Sequence, residues 1–440
     1  MKAGYKKTKM GVIPEGWEVK KIQELINNNI ISEVLDGNHG SRHPKSSDYQ
    51  KKGIPFIMAN NLKNGRVDLN NCKFITKERS KDLKKGFAKA GDVLLTHKGT
   101  IGETAIVPDI DKYIVLTPQV TYYRISDSSK LNNKYLKYCL DSDKFQRVLT
   151  NLSSQSTRSY IGITKQKKLY IIIPPLEEQE KIATILSSVD EYIEEIDRMI
   201  EDLQELKKGL MQKLLTGQWR IENGKLRVNK DFKKTKLGMI PEGWEVKKLN
   251  DICSVKGGKR IPKGHSLIDE KNEFPYIRVA DMYMGGVSLD EIKYVPVEVA
   301  DKISRYRITK DDIFISVAGT LGVVGAVPIE LDNANLTENA DKLTNIKCNK
   351  DFLLYILQSE LIQRVIENEK TLNAQPKLAI KRIRKFNIPV PPLEEQEKIA
   401  SILSSVDGRI ETYQEEREDF RELKKGLMQK LLTGQVRVEN

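Results

Sequence analysis

The residues best suited to binding are cations, and they recur. Lys165, Lys167 and Lys168 precede the apolar run Leu169–Ile173, and Arg382, Arg384 and Lys385 precede Phe386–Val390 in the same relation. Just upstream stand Arg158, Ser159 and Tyr160 in one place, and Gln375, Pro376 and Lys377 in the other. Lys and Arg neutralise phosphates without reading sequence, whereas Arg, Gln, Asn, Ser and Thr read base edges. A matched basic run beside differing polar residues is the pattern of a DNA reader; the bland counterpart is an edge strand protected by charge. Further candidates are loop residues: Arg42, Lys45, Lys98 and Thr100 early in the chain, and Lys259, Arg260, Lys263 and Arg278 later. Lys plus Arg number 74 against 61 Asp plus Glu, a formal charge of +13. That excess favours a polyanionic partner, nucleic acid first, over a merely soluble basic protein.

No catalytic constellation assembles from the other reactive residues. Gly257-Gly258-Lys259 lacks the spacing of a phosphate-binding loop and reads as a turn. The Gly99–Gly102 and Gly319–Gly322 pairs have GxxG spacing but lie between β-rich runs, so tight turns are expected rather than a phosphate clamp between helices. The Pro-Pro pairs at 174 and 391 are followed by Leu, not by the aromatic residue that amino-methyltransferases place against a flipped base. His39 and His43 sit in a polar loop, Asp36 to Pro44, and a metal role is disfavoured. The four cysteines, Cys72, Cys139, Cys253 and Cys348, form no CxxC pair, as expected of a reduced cytosolic protein without structural zinc. Apolar runs reach about five residues, against the ~20 of a membrane span. No cofactor is expected.

The elements that must carry the cations are written twice. Pro174-Pro175-Leu176-Glu177-Glu178-Gln179-Glu180-Lys181-Ile182-Ala183 recurs from Pro391 to Ala400. Leu206 to Gln218 recurs, residue for residue, from Leu423 to Gln435, and Ile13-Pro14-Glu15-Gly16-Trp17 recurs from Ile240 to Trp244. The intervening blocks match only faintly, as Asp92 to Thr96 matches Asp312 to Ser316. The repeated segments read as long helices. Pro175 and Glu177, Glu178 and Glu180 suit a helix start, and Gly217 and Gly434 supply the stops. Apolar residues spaced 4,3,4,3 (Ile182, Leu186, Val189, Ile193, Ile196, Ile200, Leu203) predict a coiled-coil seam with the other copy, interrupted at Lys207, Arg417 and Lys424.

The chain therefore divides into a globular domain over 1–174, a helix over 175–217, a polar linker over 218–236, a second globular domain over 237–391, a helix over 392–434 and a tail over 435–440. The tail and the first residues together resemble the linker, so the repeat is cyclic. The expected fold is α/β (α+β): two similar globular domains joined by two long antiparallel coiled-coil helices, a pseudo-two-fold tandem repeat.

The doubled Ile-Pro-Glu-Gly-Trp, Pro-Pro-Leu-Glu-Glu-Gln-Glu-Lys-Ile and Leu-Leu-Thr-Gly-Gln segments resemble the specificity subunit of type I restriction-modification enzymes over essentially the full length. The resemblance implies two target recognition domains, each reading half of a bipartite site in double-stranded DNA, with the helices fixing an unspecific gap. It implies a non-catalytic subunit, two methyltransferase (modification) subunits as partners, and restriction subunits joining through the complex, in the cytoplasm. Exposed positions shared by the two helices are expected to dock the partners: Glu177, Gln179, Lys208, Gln212 and Lys213, with Glu394, Gln396, Lys425, Gln429 and Lys430. A stand-alone bivalent DNA-binding regulator is the alternative, and a self-sufficient methyltransferase or nuclease a third reading.

Overall fold

The computed structural model describes residues 3–154, 160–222, 225–368 and 377–438. The chain forms two compact units, Met1–Asp197 with Glu415–Asn440, and Arg198–Gln414. Each takes a globular block, the start of one long helix and the end of the other.

In the first unit, four antiparallel strands lie in the order Thr100–Ile106, Val93–Lys98, Val120–Ile125, Ile31–Asp36. A second sheet pairs Ile54–Ile57 in parallel with Ile114–Leu116 and antiparallel with Lys73–Ile75. Helix Asn133–Asp141 starts where the Asn132 side chain accepts from Tyr135 N, and Asp143–Ser154 follows it after a bend at Ser142. The second unit repeats the plan. Its four strands are Val324–Ala326, Ile313–Ser316, Ala340–Thr344 and Ser254–Gly257, in that order. Pro275–Ile277 runs parallel to Ala334–Leu336, and Asn349 caps helix Lys350–Gln358 as Asn132 does its counterpart. Divergent sequences thus yield the same two-sheet plan, with the central strands Val93–Lys98 and Ile313–Ser316 buried almost throughout.

The long helices are Leu176–Leu215 and Leu393–Leu431. Their ends are sunk in the globular cores. Ile182, Ala183 and Leu186 pack with Trp17, Leu431 and Leu432 in the first unit. Leu214 and Leu215 pack with Trp244, Ile399 and Leu403 in the second. Further along the first unit's helix pair, Tyr192 meets Phe420 at 4.4 Å between ring centroids. The charged interruptions of that seam are paired: Lys424 with Asp190 at 2.6 Å and Arg417 with Asp197 at 3.1 Å in the first unit, Lys207 with Asp407 at 2.6 Å in the second. Along one helix residue numbers rise as their partners' fall, so the pieces within the first unit run antiparallel. Among the described residues, no helix is long and apolar enough to cross a membrane.

The repeated motifs converge on one node in each unit. Trp244, wholly buried, donates Nε1–H to Glu395 at 3.0 Å, and Arg220 grips the same carboxylate through Nε (2.6 Å) and Nη2 (2.8 Å). Trp17 Nε1 donates to Glu178 at 3.2 Å, and Arg437 from the tail forks onto Glu178. Gly217 and Gly434 adopt positive φ, and a Cβ there would lie 2.1 Å from Pro241 Cγ and 2.4 Å from Pro14 Cδ respectively. The helix stop and the Ile-Pro-Glu-Gly-Trp segment are therefore one contact, which accounts for their joint repetition. The stretch read as a polar linker carries Arg220 in a hairpin, Trp219–Glu222 with Lys225–Val228.

Removing one partner of a buried ion pair leaves an uncompensated charge. Arg220→Ala is expected to lose about 3 kcal/mol in guanidinium denaturation followed by tryptophan fluorescence. Arg437→Ala is expected to lose less, because its side chain is 39% exposed against 15% for Arg220. Equal small losses would contradict the assignment.

Candidate nucleic-acid interface

The strand Ile31–Asp36 ends at a rung where Asp36 faces Thr121. Gly37 follows, so close to the Leu116 carbonyl that a Cβ would lie 1.9 Å from it. The chain then turns outward through Asn38, His39 and Gly40–Arg42. This loop is tied down by Arg79, whose Nη2 donates to the Arg42 carbonyl (3.0 Å) and whose Nε donates to Asp48 (3.1 Å). Asp48 also accepts from Lys45 N at 2.9 Å. Backbone and anchor thus fix the loop while the Arg42 and Lys45 side chains stay exposed.

Beside this loop stands the tip of the hairpin Val93–Lys98 with Thr100–Ile106. Lys98 and Thr100 face each other in register and are exposed. Tyr160 bridges to Lys98, and its ring lies 5.5 Å from that of His97 beneath. Gln166 is buried, accepts from the Tyr123 hydroxyl (2.7 Å) and donates to Thr121 Oγ1 (3.1 Å). It thereby tethers the turn bearing exposed Lys165 and half-buried Lys167 to the same rung. The first unit's candidates are thus drawn around one strand end.

Asp36 is the centre of this edge. It accepts from His39 at 2.7 Å and pairs with Lys85. Burial works to raise its carboxyl, but the Lys85 and His39 hydrogen bonds outweigh that and hold it below the ordinary value. His97 is 1% exposed, and its Nδ1 donates to the Ile161 carbonyl at 3.1 Å. Nε2 then presents a lone pair 4.0 Å from Asp36, with no hydrogen-bond partner among the described residues. Burial drives the His97 pKa down to about 4, against the opposing pull of Asp36. Among the described residues, no group of three or more His, Cys, Asp or Glu forms a metal cradle.

The second unit builds the equivalent edge with different side chains. Gly257 faces Asp341 on the rung, Gly258 repeats the close approach of Gly37, and exposed Lys259 and Arg260 follow. Arg260 pairs with Glu338 at 2.5 Å. Ala318 stands where Lys98 does, and exposed Lys377 bridges to it as Tyr160 bridges to Lys98. Arg384 is exposed and donates Nη2 to the Val255 carbonyl at 2.8 Å; Arg382 lies exposed on the preceding turn. Burial lifts the Asp341 pKa to about 7, against the pull of Lys377 and Arg384, and its Oδ2 has no partner among the described residues.

Several sequence expectations change here. Arg278 is not a free reader: its Nε (3.0 Å) and Nη2 (2.5 Å) grip Asp281, and Nη2 also donates to the Glu291 carbonyl, closing a turn. Gln179 and Gln396 are not the exposed positions expected. Both are buried; Gln179 accepts from Asn132 N and donates to the Lys130 and Pro174 carbonyls, and Gln396 joins Asn349 N to the Pro391 carbonyl. Their repetition serves internal satisfaction. Glu177, Lys208, Gln212, Glu394, Lys425, Gln429 and Lys430 are exposed, while Lys213 lies 4.2 Å over the Trp219 ring. Arg158 and Gln375 fall outside the described residues. Asp36, Lys85, His97 and Asp341 were missed; the signal available was an Asp one residue before the Gly that opens the loop, and an Asp where the other copy has Thr121.

Known proteins place this architecture. The profile of the family described as type I restriction modification DNA specificity domain matches residues 14–206 and 241–419. A Methanocaldococcus jannaschii protein with the provisional name MjaX type I restriction enzyme specificity subunit is 30% identical, over 99% of this chain and 97% of its own length. The MjaVIII specificity subunit of the same organism is 27% identical, over 97% and 95%. The EcoKI specificity subunit of Escherichia coli is 22% identical, over 88% and 82%. The crystal structure of a type I restriction-modification S subunit from M. genitalium superposes with a TM-score of 0.57 at 19% identity, covering 94% of this chain and 96% of that one.

The two buried titrating groups respond oppositely to acid. An unfolded chain protonates His97 below about 6.5, whereas the folded chain resists until about 4, so the first unit loses stability as pH falls through that window. Folded Asp341 keeps its proton up to about 7 and an unfolded one releases it near 3.8, so the second unit loses stability as pH rises through that window. Relative to wild type, Asp341→Asn is therefore expected to be more stable at pH 8 than at pH 5 in urea denaturation. An unchanged difference between the two pH values would refute the burial account.

Proposed function

The chain belongs to the type I restriction-modification DNA specificity family, and on that premise we propose that each unit reads one half of a bipartite DNA site while the chain performs no chemistry itself. The observation that carries this reading is one framework built twice with different side chains at the same edge. Lys98 and Tyr160 stand in one unit where Ala318 and Lys377 stand in the other, while Thr100 and Thr320 are common to both. Cations in such places hold phosphates, and the differing residues among them discriminate base edges. Arg42, Lys45, Lys165 and Lys167 belong to the first reading edge. Lys259, Arg260, Arg382 and Arg384 belong to the second.

Methyl transfer then comes from two modification subunits that dock on the repeated helix positions Glu177, Lys208 and Gln212, and Glu394, Lys425 and Gln429. Restriction subunits join through that complex. Two copies of one docking surface call for two copies of one partner. The long helices set the unspecific gap between half-sites.

Methylome sequencing of a host expressing the chain with its methyltransferase is expected to return a bipartite motif. The absence of any new motif would overturn the reading in favour of a stand-alone regulator. Inserting four residues in the middle of each long helix adds ~6 Å, so the recognised gap is expected to lengthen by about two base pairs. An unchanged gap would refute the spacer role.

A further inference from the structure

The two units hold one loop residue by the same device, built from different atoms. In each, the edge strand of the four-stranded sheet is followed by a glycine that passes close to the end of a strand of the second sheet. A Cβ on Gly37 would strike the Leu116 and Thr117 backbone, and one on Gly258 the Leu336 and Thr337 backbone. The next residue is clamped to the domain. Asn38 accepts from Lys84 N at 3.0 Å and donates to the Lys85 carbonyl at 2.5 Å. Lys259 donates its N–H to the Leu336 carbonyl at 2.8 Å, and its own carbonyl accepts from the Tyr276 hydroxyl at 3.0 Å. The residue after that is His39 in one unit and Arg260 in the other, both exposed.

Each of these side chains is held at one end by a direct hydrogen bond to a carboxylate. His39 Nε2 donates to Asp36 at 2.7 Å, and Arg260 Nε donates to Glu338 at 2.5 Å. The acids come from different places in the two units. Asp36 ends the strand before the loop, whereas Glu338 follows the Ala334–Leu336 strand. Each acid has a second partner: Lys85 pairs with Asp36, and Thr337 Oγ1 donates to Glu338 at 3.2 Å. An ionised carboxylate only accepts, so it fixes the direction of each bond. His39 gives up its Nε2–H and keeps a lone pair on Nδ1. Arg260 gives up its Nε–H and keeps the fork of its two Nη groups, which have no hydrogen-bond partner among the described residues.

We propose that His39 and Arg260 occupy one equivalent specificity-determining position in the two units, each preset by its carboxylate to read a base edge. Asp36 and Glu338 are their positioning residues. The inference rests on the DNA-reading function above and names a reader in each half. A side chain held before binding has less freedom to lose on binding. A guanidinium already paired with an acid gives up part of its hold on phosphate, while its fork keeps its direction. That fork fits guanine N7 and O6. The Nδ1 lone pair of His39 fits an amino group instead, adenine N6 or cytosine N4. One framework position thus asks for acceptors in one half-site and for a donor in the other.

Arg260→Ala and His39→Ala test this, because both side chains are exposed and neither fills a core. The probes are the duplex carrying the mapped motif and duplexes with each base pair of it replaced in turn, bound to the full chain in its methyltransferase complex. Arg260→Ala is expected to lower discrimination on the order of tenfold at a single G·C pair of one half-site. The remaining pairs keep theirs. His39→Ala is expected to lower it about as much at a single pair of the opposite half-site. Arg260→Lys does not restore the Arg260→Ala loss, because an ammonium lacks the fork. Glu338→Gln releases the hold and leaves the Arg260 charge intact. Discrimination then falls at the same G·C pair, while binding to unrelated duplex does not weaken. A uniform loss on mapped and unrelated duplexes, with a salt slope shallower by about one, marks a phosphate contact and overturns the inference. Unchanged discrimination overturns it as well, as do two alanine variants that act on the same half-site. A wild-type complex that yields no bipartite motif removes the reading function itself, and this inference with it.

Discussion

Everything else in each unit depends on a carboxylate that cannot be left alone. Glu178 and Glu395 are at most 8% exposed, and a buried charge is tolerated only when paired and hydrogen-bonded. The requirement is met by an Arg from the segment after the other long helix and by the indole of Ile-Pro-Glu-Gly-Trp. One helix start, one helix end and one domain entrance are thereby bound to a single point in each unit. A substitution at any of the three strands the others, which explains why these segments recur almost unchanged while the blocks between them drift.

The long helices obey the same rule along their seam. Lys207, Arg417 and Lys424 interrupt the apolar stripe, and each meets an Asp on the facing helix. Asp190 and Asp407 also accept from Tyr138 and Tyr355 of the globular blocks, both at 2.7 Å. A lysine, an aspartate and a tyrosine thus join helix to helix and helix to block, twice. Directional pairs of this kind specify alignment in a seam whose apolar contacts alone would tolerate sliding.

The reading edge inverts that logic. In the framework the Glu178 and Glu395 carboxylates find their complements inside the chain. At the edge, His97 Nε2 and Asp341 Oδ2 have no partner among the described residues, and Lys98, Lys165, Lys259 and Lys377 stay exposed. The two kinds of residue are hard to separate by repetition alone. Gln179 and Gln396 recur as faithfully as Lys208 and Lys425, yet the glutamines are stitched into loops and the lysines face solvent.

Local pattern was sufficient for much of this molecule. Heptad spacing, Pro and Glu at helix starts, Gly at helix stops and verbatim repetition disclosed two long helices, two similar blocks and a cyclic order. These are properties of neighbours along the chain, which sequence reports directly. The matched basic runs beside Leu169–Ile173 and Phe386–Val390 likewise fall on equivalent short helical turns, Ile163–Gln166 and Ile380–Ile383 with the residues that follow them. What remained hidden was which charges cancel. Arg278 looked like any exposed reader until Asp281 closed on it, and Asp36 and Asp341 looked like ordinary surface acids at unrelated places. Burial, rung and partner are set by strands that meet from far apart in the sequence, 85 positions in one case and 84 in the other. Only the folded chain decides whether a given charge is compensated from within or left for another molecule, because that depends on which distant atoms arrive within a few ångströms.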